Sequence, residues 1–272
     1  MGGKAGKTLE LEFLGTGTSI GVPAPSCRCV VCTSSDPRDT RWRSSVLIRN
    51  GRRNLVIDAG PEFRLQCLRA DIATLAALVL THDHADHLNG LDDLRAFTLP
   101  LRGKRRGKNS SVSVYGGRQT MAAIRRRFDY IWNSTQVGGG LPQIELCAIA
   151  ARKPFIAAGL ELTPIPIKHG TKGIFGYRVG GLAYLTDVSA LPERSAPMVE
   201  GLDVLVLSCA LRRAHETHFR LKDIAATHAK LRPRLTLLTH ISHNFGHREL
   251  LAEFPPDIRP AYDGLKVAFR AL

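Results

Sequence analysis

The stretch of sequence that decides the fold is Thr81-His82-Asp83-His84-Ala85-Asp86-His87. It follows the apolar run 75–80, which reads as a short strand buried on both faces because such runs are brief, apolar and bounded by polar residues. In open α/β sheets, ligands bind beyond the carboxyl ends of the strands. A charged turn with a chance excess of histidine is the alternative, but five imidazole and carboxylate side chains packed this tightly favour a metal site.

The spacing within this stretch predicts two metal ions. His82 and His84 are two residues apart in extended chain, so both point to the same side. Asp86 and His87 fall where the chain turns into a helix and can therefore face a second point. Imidazole and carboxylate are ligands that suit divalent zinc, iron and manganese. One short loop can thus supply ligands to two neighbouring ions.

The pattern His-x-His-x-Asp-His after a hydrophobic strand resembles the signature loop of the metallo-β-lactamase superfamily. The resemblance implies an α/β fold, the αββα sandwich, in which two mixed sheets are flanked by helices. It also implies a hydrolytic site with one or two metals, completed by a His, an Asp and a His at later strand ends. The apolar segments ending in His169, Asp187 and His240 match these positions, and the resemblance runs from Leu9 to Asp263.

The resemblance assigns a complete set of ligands to two divalent ions, zinc or manganese. The first ion is assigned His82, His84 and His169, and the second is assigned Asp86, His87 and His240, with Asp187 bridging the two. Asp58 fits a carboxylate that orients ligand histidines. Two such ions about 3.5–4 Å apart lower the pKa of a bridging water and clamp the oxygens of a displacement at phosphorus. The expected chemistry is hydrolysis.

Two residues are expected to act in catalysis. His218 resembles the general acid of the phosphodiesterase branches of the superfamily, and an imidazole suits that role because its unperturbed pKa lies near 6.5. Asp86 is the second, in addition to its place as a ligand. His215 and His228 receive no role and are expected on the solvated surface.

A cysteine cluster predicts a third metal site. Cys27, Cys29 and Cys32 offer three thiolates, which leave a tetrahedral zinc one ligand short. His243, three residues after His240, is the candidate for the fourth position. The alternative is three unconnected thiols and a surface histidine. A structural zinc here would pin the loop 23–37 beside the active centre, because a structural metal contributes folding free energy directly.

Length and charge limit the class of protein. The 272 residues suit one hydrolase domain spanning 1–272. The net charge of +14 favours polyanionic partners such as phosphate compounds or nucleic acid, although the basic runs 102–108 and 125–127 also fit a solvated surface. No run approaches membrane-spanning length and no apolar segment follows the basic start, so we expect a cytoplasmic protein with reduced cysteines and no membrane partner.

Local patterns predict several elements. We expect a hairpin of 45–48 and 55–58 closed by Asn50-Gly51, a helix over 61–70 and a second helix over 88–97. The glycine-rich loop 15–19 lacks the lysine of a nucleotide-binding loop, so we interpret it as structural.

The cysteine cluster with His243, together with Asp263-Gly264, resembles one branch of the superfamily, the phosphodiesterase of the carbon–phosphorus lyase pathway. This implies hydrolysis of small cyclic phosphodiesters or nucleotides, of the 2′,3′-cyclic nucleotide or cyclic ribose phosphate type. The longer middle region 102–140 departs from that branch. The alternative is a tRNA 3′-processing type endoribonuclease, with RNA as partner. β-Lactam or thioester hydrolysis and a non-catalytic binding module rank lower, and a homodimer is one open oligomeric state.

Overall fold

The computed structural model of the chain describes residues 7–99, 111–133, 140–211 and 216–271. The strands are β1 (Thr8–Gly15), β2 (Ser45–Asn50), β3 (Arg53–Ile57), β4 (Ala77–Val79), β5 (Val112–Gly117), β6 (Ile144–Ile149), β7 (Phe155–Ala157), β8 (Leu160–His169), β9 (Lys172–Val179), β10 (Leu182–Leu185), β11 (Val204–Ser208), β12 (Leu235–Thr239), β13 (Ile258–Pro260) and β14 (Lys266–Arg270). The helices are α1 (Phe63–Arg69), α2 (Ala85–Leu88), α3 (Arg95–Thr98), α4 (Arg118–Arg127), α5 (Tyr130–Asn133), α6 (Leu221–Leu231) and α7 (His247–Glu253).

The strands form two sheets with matching layouts. The first has the order β14-β1-β2-β3-β4-β5-β6 and the second the order β13-β12-β11-β10-β9-β8-β7. In the first sheet, β3 to β6 are parallel and the other pairs are antiparallel. In the second, β10 to β13 are parallel and the others antiparallel. Both sheets are therefore mixed, as the sequence predicts.

Apolar side chains fill three layers. The central layer lies between the sheets and includes Phe13, Tyr177 and Val206. A second layer packs the helices between α1 and α4 onto the first sheet, and a third packs α6 and α7 onto the second sheet. The inner strands β4, β10 and β11 are nearly continuous apolar runs because both of their faces are covered. The αββα sandwich is confirmed.

The predicted hairpin is also confirmed, with β2 and β3 paired antiparallel from Val46 with Ile57 to Asn50 with Arg53. The predicted helix over 88–97 is wrong. The chain instead ends α2 at Leu88, makes a 3-10 turn over Leu91–Leu94 and begins α3 at Arg95. Gly90 causes the break: its N–H donates to the Ala59 carbonyl, and a Cβ there would overlap the Gly60 carbonyl.

The topology gathers the carboxyl ends of β3 and β4 and those of β10 to β12 at one edge of the sandwich. There Gly17 forms β-bridges with Arg43, which precedes β2, and with Ile241, which follows β12, and the Ile241 N–H donates to the Thr16 carbonyl. The glycine-rich loop is therefore the seam between the sheets. Among the described residues, no helix combines the length and the apolar character needed to cross a bilayer. The basic loop 102–108 and His215 lie outside the described residues.

Candidate metal centre

The histidine stretch leaves β4 as extended chain and then enters α2 at Ala85. This turn lies directly on the backbone of Gly60, where a Cβ would overlap the Asp86 carbonyl oxygen. The close approach requires glycine. The first half of the stretch thereby faces one point and the α2 half another, as the residue spacing predicts.

The seven predicted ligands come together in two groups that share Asp187. In each group, the ligand atoms all lie within 4.8 Å of one another. The first group is His82, His84, His169 and Asp187, and the second is Asp86, His87, Asp187 and His240. Six of the seven residues are buried, and only His84 is half-buried. Four separate segments of the chain therefore converge on one double site.

The distances between ligand atoms fit coordinated cations. From the Asp187 carboxylate, the Nε2 atoms of His82, His87 and His240 lie at 3.4, 3.0 and 3.1 Å. Asp86 Oδ2 lies 3.2 Å from His87 Nε2 and 3.4 Å from His240 Nε2. The edge of a tetrahedron with metal–ligand bonds of 2.0–2.1 Å is about 3.3 Å. The donor set thus has the size that a zinc-like ion requires.

Hydrogen bonds orient the imidazoles toward these two points. His87 Nδ1 lies 2.8 Å from Asp58 Oδ2, and His169 Nδ1 lies 2.8 Å from the Thr217 carbonyl. His82 Nδ1 lies 2.9 Å from Thr81 Oγ1, and that hydroxyl donates to Asp58 at 2.9 Å. With each Nδ1–H donating, each Nε2 keeps a lone pair for a metal. Asp58 therefore supports one ligand of each group, directly for His87 and through Thr81 for His82.

Three residues of the site have a left-handed backbone conformation. Asp58, Asp187 and His240 have φ angles of +64°, +56° and +53°. Asp58 and His240 directly follow β3 and β12, and Asp187 lies two residues after the end of β10. Non-glycine residues rarely adopt this region, and each such residue costs on the order of 1 kcal/mol or more. The strained turns swing each side chain from the strand axis into the shared centre.

The electrostatics of the site favour cations. Burial lowers the pKa of His82 well below its usual value, and burial followed by the Lys172 ammonium lowers the pKa of His84. Burial alone would raise the pKa of Asp187, but the imidazoles of His240 and His87 hold it well below its usual value. Burial thus favours the neutral, metal-binding form of His82 and His84. Against burial, the carboxylates of Asp58, Asp187 and Asp86 raise the pKa of His87 well above its usual value, so a metal at this imidazole would have to displace a proton.

His218 lies at the mouth of the double site. Its ring centroid is 5.1 Å from that of His169 and 5.3 Å from that of His240, and its Nδ1 is 3.9 Å from Asp187 Oδ1. Its side chain is 13% exposed, so it can contact both the double site and a molecule that enters from solvent. The expectation that His228 lies on the solvated surface is wrong. Its side chain is partly buried, and its two ring nitrogens contact Thr236 and Asp257.

The cysteine cluster and His243 form a third group. The Sγ atoms of Cys27, Cys29 and Cys32 lie 3.3, 3.9 and 3.5 Å from His243 Nδ1. A tetrahedral zinc with thiolate and imidazole ligands separates sulfur from nitrogen by about 3.6 Å. All four ligand atoms lie within 4.8 Å of one another. The group fits a zinc ion and joins the loop 23–37 to the segment that follows His240.

A buried ion pair that sequence reasoning missed supports the same segment. Arg41 is 1% exposed; its guanidinium donates to Asp39 at 2.7 Å and to the Ser242 carbonyl at 3.2 Å. Asp39 also accepts from the His247 N–H at 2.7 Å. An arginine in a loop ordinarily indicates surface, so nothing in the sequence marks this residue. It fixes the backbone between His240 and His243.

Comparison with known proteins agrees with this geometry. Residues 53–241 match the beta-lactamase superfamily domain. A crystal structure described as a new diphosphatase from the PhnP family is 37% identical, with a TM-score of 0.89, over 98% of this chain and 99% of that one. An octanoyltransferase of Porphyromonas gingivalis is 34% identical over 93% of this chain and 50% of its own length. A ribonuclease Z of Pyrobaculum neutrophilum is 26% identical over 91% of this chain and 93% of its own.

The chain spans about half the length of the first two curated relatives, which are 50% and 48% covered. The family match runs from the first residue of β3 to the residue after His240 and therefore contains all seven residues of the double site. With that match, the sandwich fold and the two ligand groups in place, the chain belongs to the metallo-β-lactamase superfamily of metal-dependent hydrolases, as the sequence predicts.

Proposed function

We propose that the chain is a dinuclear metal-dependent phosphodiesterase that hydrolyses small cyclic phosphodiesters or nucleotides, of the 2′,3′-cyclic nucleotide or cyclic ribose phosphate type. The observation that carries the proposal is the sharing of Asp187 by two ligand groups beside His218. The PhnP-family diphosphatase, similar over nearly the whole length of both chains, supports a phosphate substrate. The proposal treats 1–272 as one domain in which the loop 23–37 is held by zinc.

The proposed metals are two zinc or manganese ions in the double site and one structural zinc at the cysteine group. Two divalent ions would activate a water and neutralise charge on the phosphate. The protein supplies the rest. Asp86 and Asp187 contribute negative charge to the centre, and Asp58 fixes the rings of His87 and His82. His218 donates a proton to the leaving alkoxide from the rim of the site.

The role of His218 is tested with two substrates that differ in their leaving group. A 2′,3′-cyclic nucleotide releases a poor alkoxide that needs a proton, whereas bis(p-nitrophenyl) phosphate releases a stable phenolate. General acid catalysis contributes about 10²–10⁴-fold. We expect His218→Ala to lower kcat for the cyclic nucleotide by about that factor. The kcat for the nitrophenyl ester should fall far less.

The same preparations are analysed for metal by mass spectrometry, because His218 is not among the ligand groups. Unchanged metal content separates loss of a proton donor from loss of the centre. An equal fall in kcat for both substrates would contradict the acid role. A wild-type protein loaded with zinc or manganese that hydrolyses neither substrate would contradict the proposed function.

A ribonuclease Z activity is the second candidate. The relative from Pyrobaculum neutrophilum matches over more than 90% of both chains, and the net charge of +14 suits a polyanion. Incubation of the metal-loaded protein with a tRNA precursor beside a cyclic nucleotide distinguishes the two. Cleavage of the RNA alone would reverse the ranking.

A further inference from the structure

The loop between β4 and α2 contains one charged residue that belongs to neither ligand group. Asp83 stands between His82 and His84, and both of these imidazoles belong to the first group. The centroids of their rings are 4.4 Å apart and lie 5.6 and 5.1 Å from that of His169, the third imidazole of the group. The geometry of the first group therefore depends on how the loop is placed against the end of β8.

An ion pair joins Asp83 to that second segment. Its carboxylate contacts the ammonium of Lys172, the first residue of β9. Lys172 pairs with His169 across the turn between β8 and β9, so one hairpin carries both this cation and the third imidazole. The Asp83 and Lys172 side chains are 19% and 33% exposed, and partly buried charges are screened less by salt than solvated ones. The pair therefore ties the loop to the hairpin.

Two further contacts hold the main chain of the loop. The guanidinium of Arg127, the last residue of α4, donates to the Asp83 carbonyl at 2.6 Å. Directly before the loop, the Phe175 N–H of β9 donates to the Thr81 carbonyl at 3.2 Å. The backbone is thus held on both sides of His82. Asp83 is the residue at which α4, the hairpin and the loop meet.

The two ligand groups differ in how closely they depend on this pair. His84 follows Asp83 in the sequence, and His169 faces Lys172 across the hairpin. Apart from the shared carboxylate, the second group takes its ligands from α2 and from the residue after β12. A change in the pair therefore reaches the first group directly and the second only through the remainder of the site.

We propose that Asp83 and Lys172 are positioning residues for the first metal site: their ion pair locks the loop against the β8–β9 hairpin and so sets the affinity of that site separately from the second. The inference rests on the proposed function only for the presence of two ions. Contacts that orient metal ligands change the affinity for the metal by about 10–100-fold.

Positioning and simple charge make opposite predictions for substitutions in this pair. Lys172→Met leaves the Asp83 carboxylate unbalanced, which attracts a cation, and Asp83→Asn leaves the ammonium unbalanced, which repels one. The double variant has the same local charge as the wild type. If the pair acts through charge alone, the single variants shift the affinity in opposite directions and the double variant binds as the wild type does. If the pair acts by positioning, the double variant binds more weakly.

The test is a competition titration of the apo protein with zinc against a chelator, with the cysteine group loaded first. We expect the double variant to lose about tenfold in affinity at one of the two sites and to keep the other nearly unchanged. The unchanged site shows in the same sample that the protein is folded. Asp83→Asn alone should weaken the affected site further, because it adds repulsion to the loss of position.

Long-range ¹H–¹⁵N spectra of the histidine rings assign the weakened site. As the chelator concentration rises, the ring nitrogens of His84 and His169 should lose their metal-bound shifts before those of His87 and His240 do. Wild-type protein should lose them at a higher chelator concentration. Lys172→Arg keeps the cation and should restore wild-type affinity.

Lys168→Met is the matched control. Lys168 is an exposed lysine directly before His169 on the same hairpin, and it belongs neither to a ligand group nor to the pair with Asp83. It should bind both ions as the wild type does.

The inference is overturned if the double variant keeps wild-type affinity at both sites, if both sites weaken equally, or if Lys168→Met weakens the first site as much. These measurements need no turnover. A selective loss at the first site, in a protein that hydrolyses no phosphodiester, would support the inference and remove the proposed function. Unchanged affinity in an active phosphodiesterase would do the reverse.

Discussion

The replacement of Asp58 by asparagine tests how one buried carboxylate supports both ligand groups. The side chain is fully buried. Its oxygens accept from the Thr81 N–H at 2.8 Å, from the Thr81 hydroxyl at 2.9 Å and from His87 Nδ1 at 2.8 Å. Asparagine keeps the shape of the side chain and tolerates the left-handed backbone, but it has only one acceptor oxygen. The substitution therefore changes hydrogen bonding with little change in packing.

Both orientations of the new amide are unfavourable. If its oxygen faces His87, its NH₂ group opposes the Thr81 N–H, and two donors meet in a buried site. If its oxygen faces Thr81, the NH₂ group faces His87 Nδ1, which accepts only when the imidazole proton moves to Nε2, the atom that points at Asp187. A buried unsatisfied group costs about 1–3 kcal/mol. We expect a loss of about 10–100-fold in affinity for the active-site metals.

The assay is a competition titration of the apo protein with zinc against a chelator of known affinity, with the cysteine group loaded first. Asp71→Asn is the matched control. Asp71 also has a left-handed φ, of +47°, and undergoes the same substitution, but it is exposed and belongs to no ligand group. It should bind both ions as the wild type does. Metal affinity within about twofold of wild type in Asp58→Asn would refute the reasoning.

Three further perturbations have defined outcomes. Burial raises the pKa of Asp263 to about 6, above its ordinary 3.8. The folded state therefore binds the proton of this carboxyl more tightly than the unfolded state does. The resulting stabilisation is lost as the pH rises from the ordinary pKa through the folded-state pKa. Urea unfolding at pH 4.5 and 6.5 should show the wild type losing about 2 kcal/mol more than Asp263→Asn across this interval, and parallel pH profiles would contradict the assignment. Gly60→Ala should lower the free energy of unfolding by about 1–3 kcal/mol and weaken metal binding, because its methyl group would overlap the Asp86 carbonyl, whereas Gly173→Ala meets no atom within 4 Å and should unfold nearly as the wild type does. Cys32→Ser should reduce the zinc content by one ion per chain in mass spectrometry while two exchangeable ions remain; an unchanged count would remove the third site.

The sequence predicts which residues gather at the double site because the signal is local. His82 to His87 lie in one short loop, and the remaining ligands each follow an apolar strand in the order that the superfamily resemblance implies. The αββα fold follows from the same resemblance. The break of the helix over 88–97 could not be predicted, since Gly90 is required there only by the backbone of Ala59 and Gly60, which the fold brings against it.

Contacts between distant segments lie beyond sequence patterns. Asp58 follows β3 and Thr81 follows β4, so their hydrogen bond exists only because these strands pair in parallel. Arg41 resembles any surface arginine until its ion pair with Asp39 is seen to be buried. Lys172 gains its place beside Asp83 through the hairpin of β8 and β9. In each case the residue type carries no local signal, and the tertiary structure alone brings the residue to its partner.

The cysteine group also has a consequence for the topology of the unfolded chain. Cys27 and His243 are 216 residues apart, and all seven residues of the double site fall inside the ring that a shared zinc would close. The entropy removed from an open chain by such a closure grows with the logarithm of its length. The zinc would therefore act as a reversible crosslink that closes a very long loop. A single backbone cut between residues 33 and 242 would leave two pieces still tethered through the metal, until a chelator releases them.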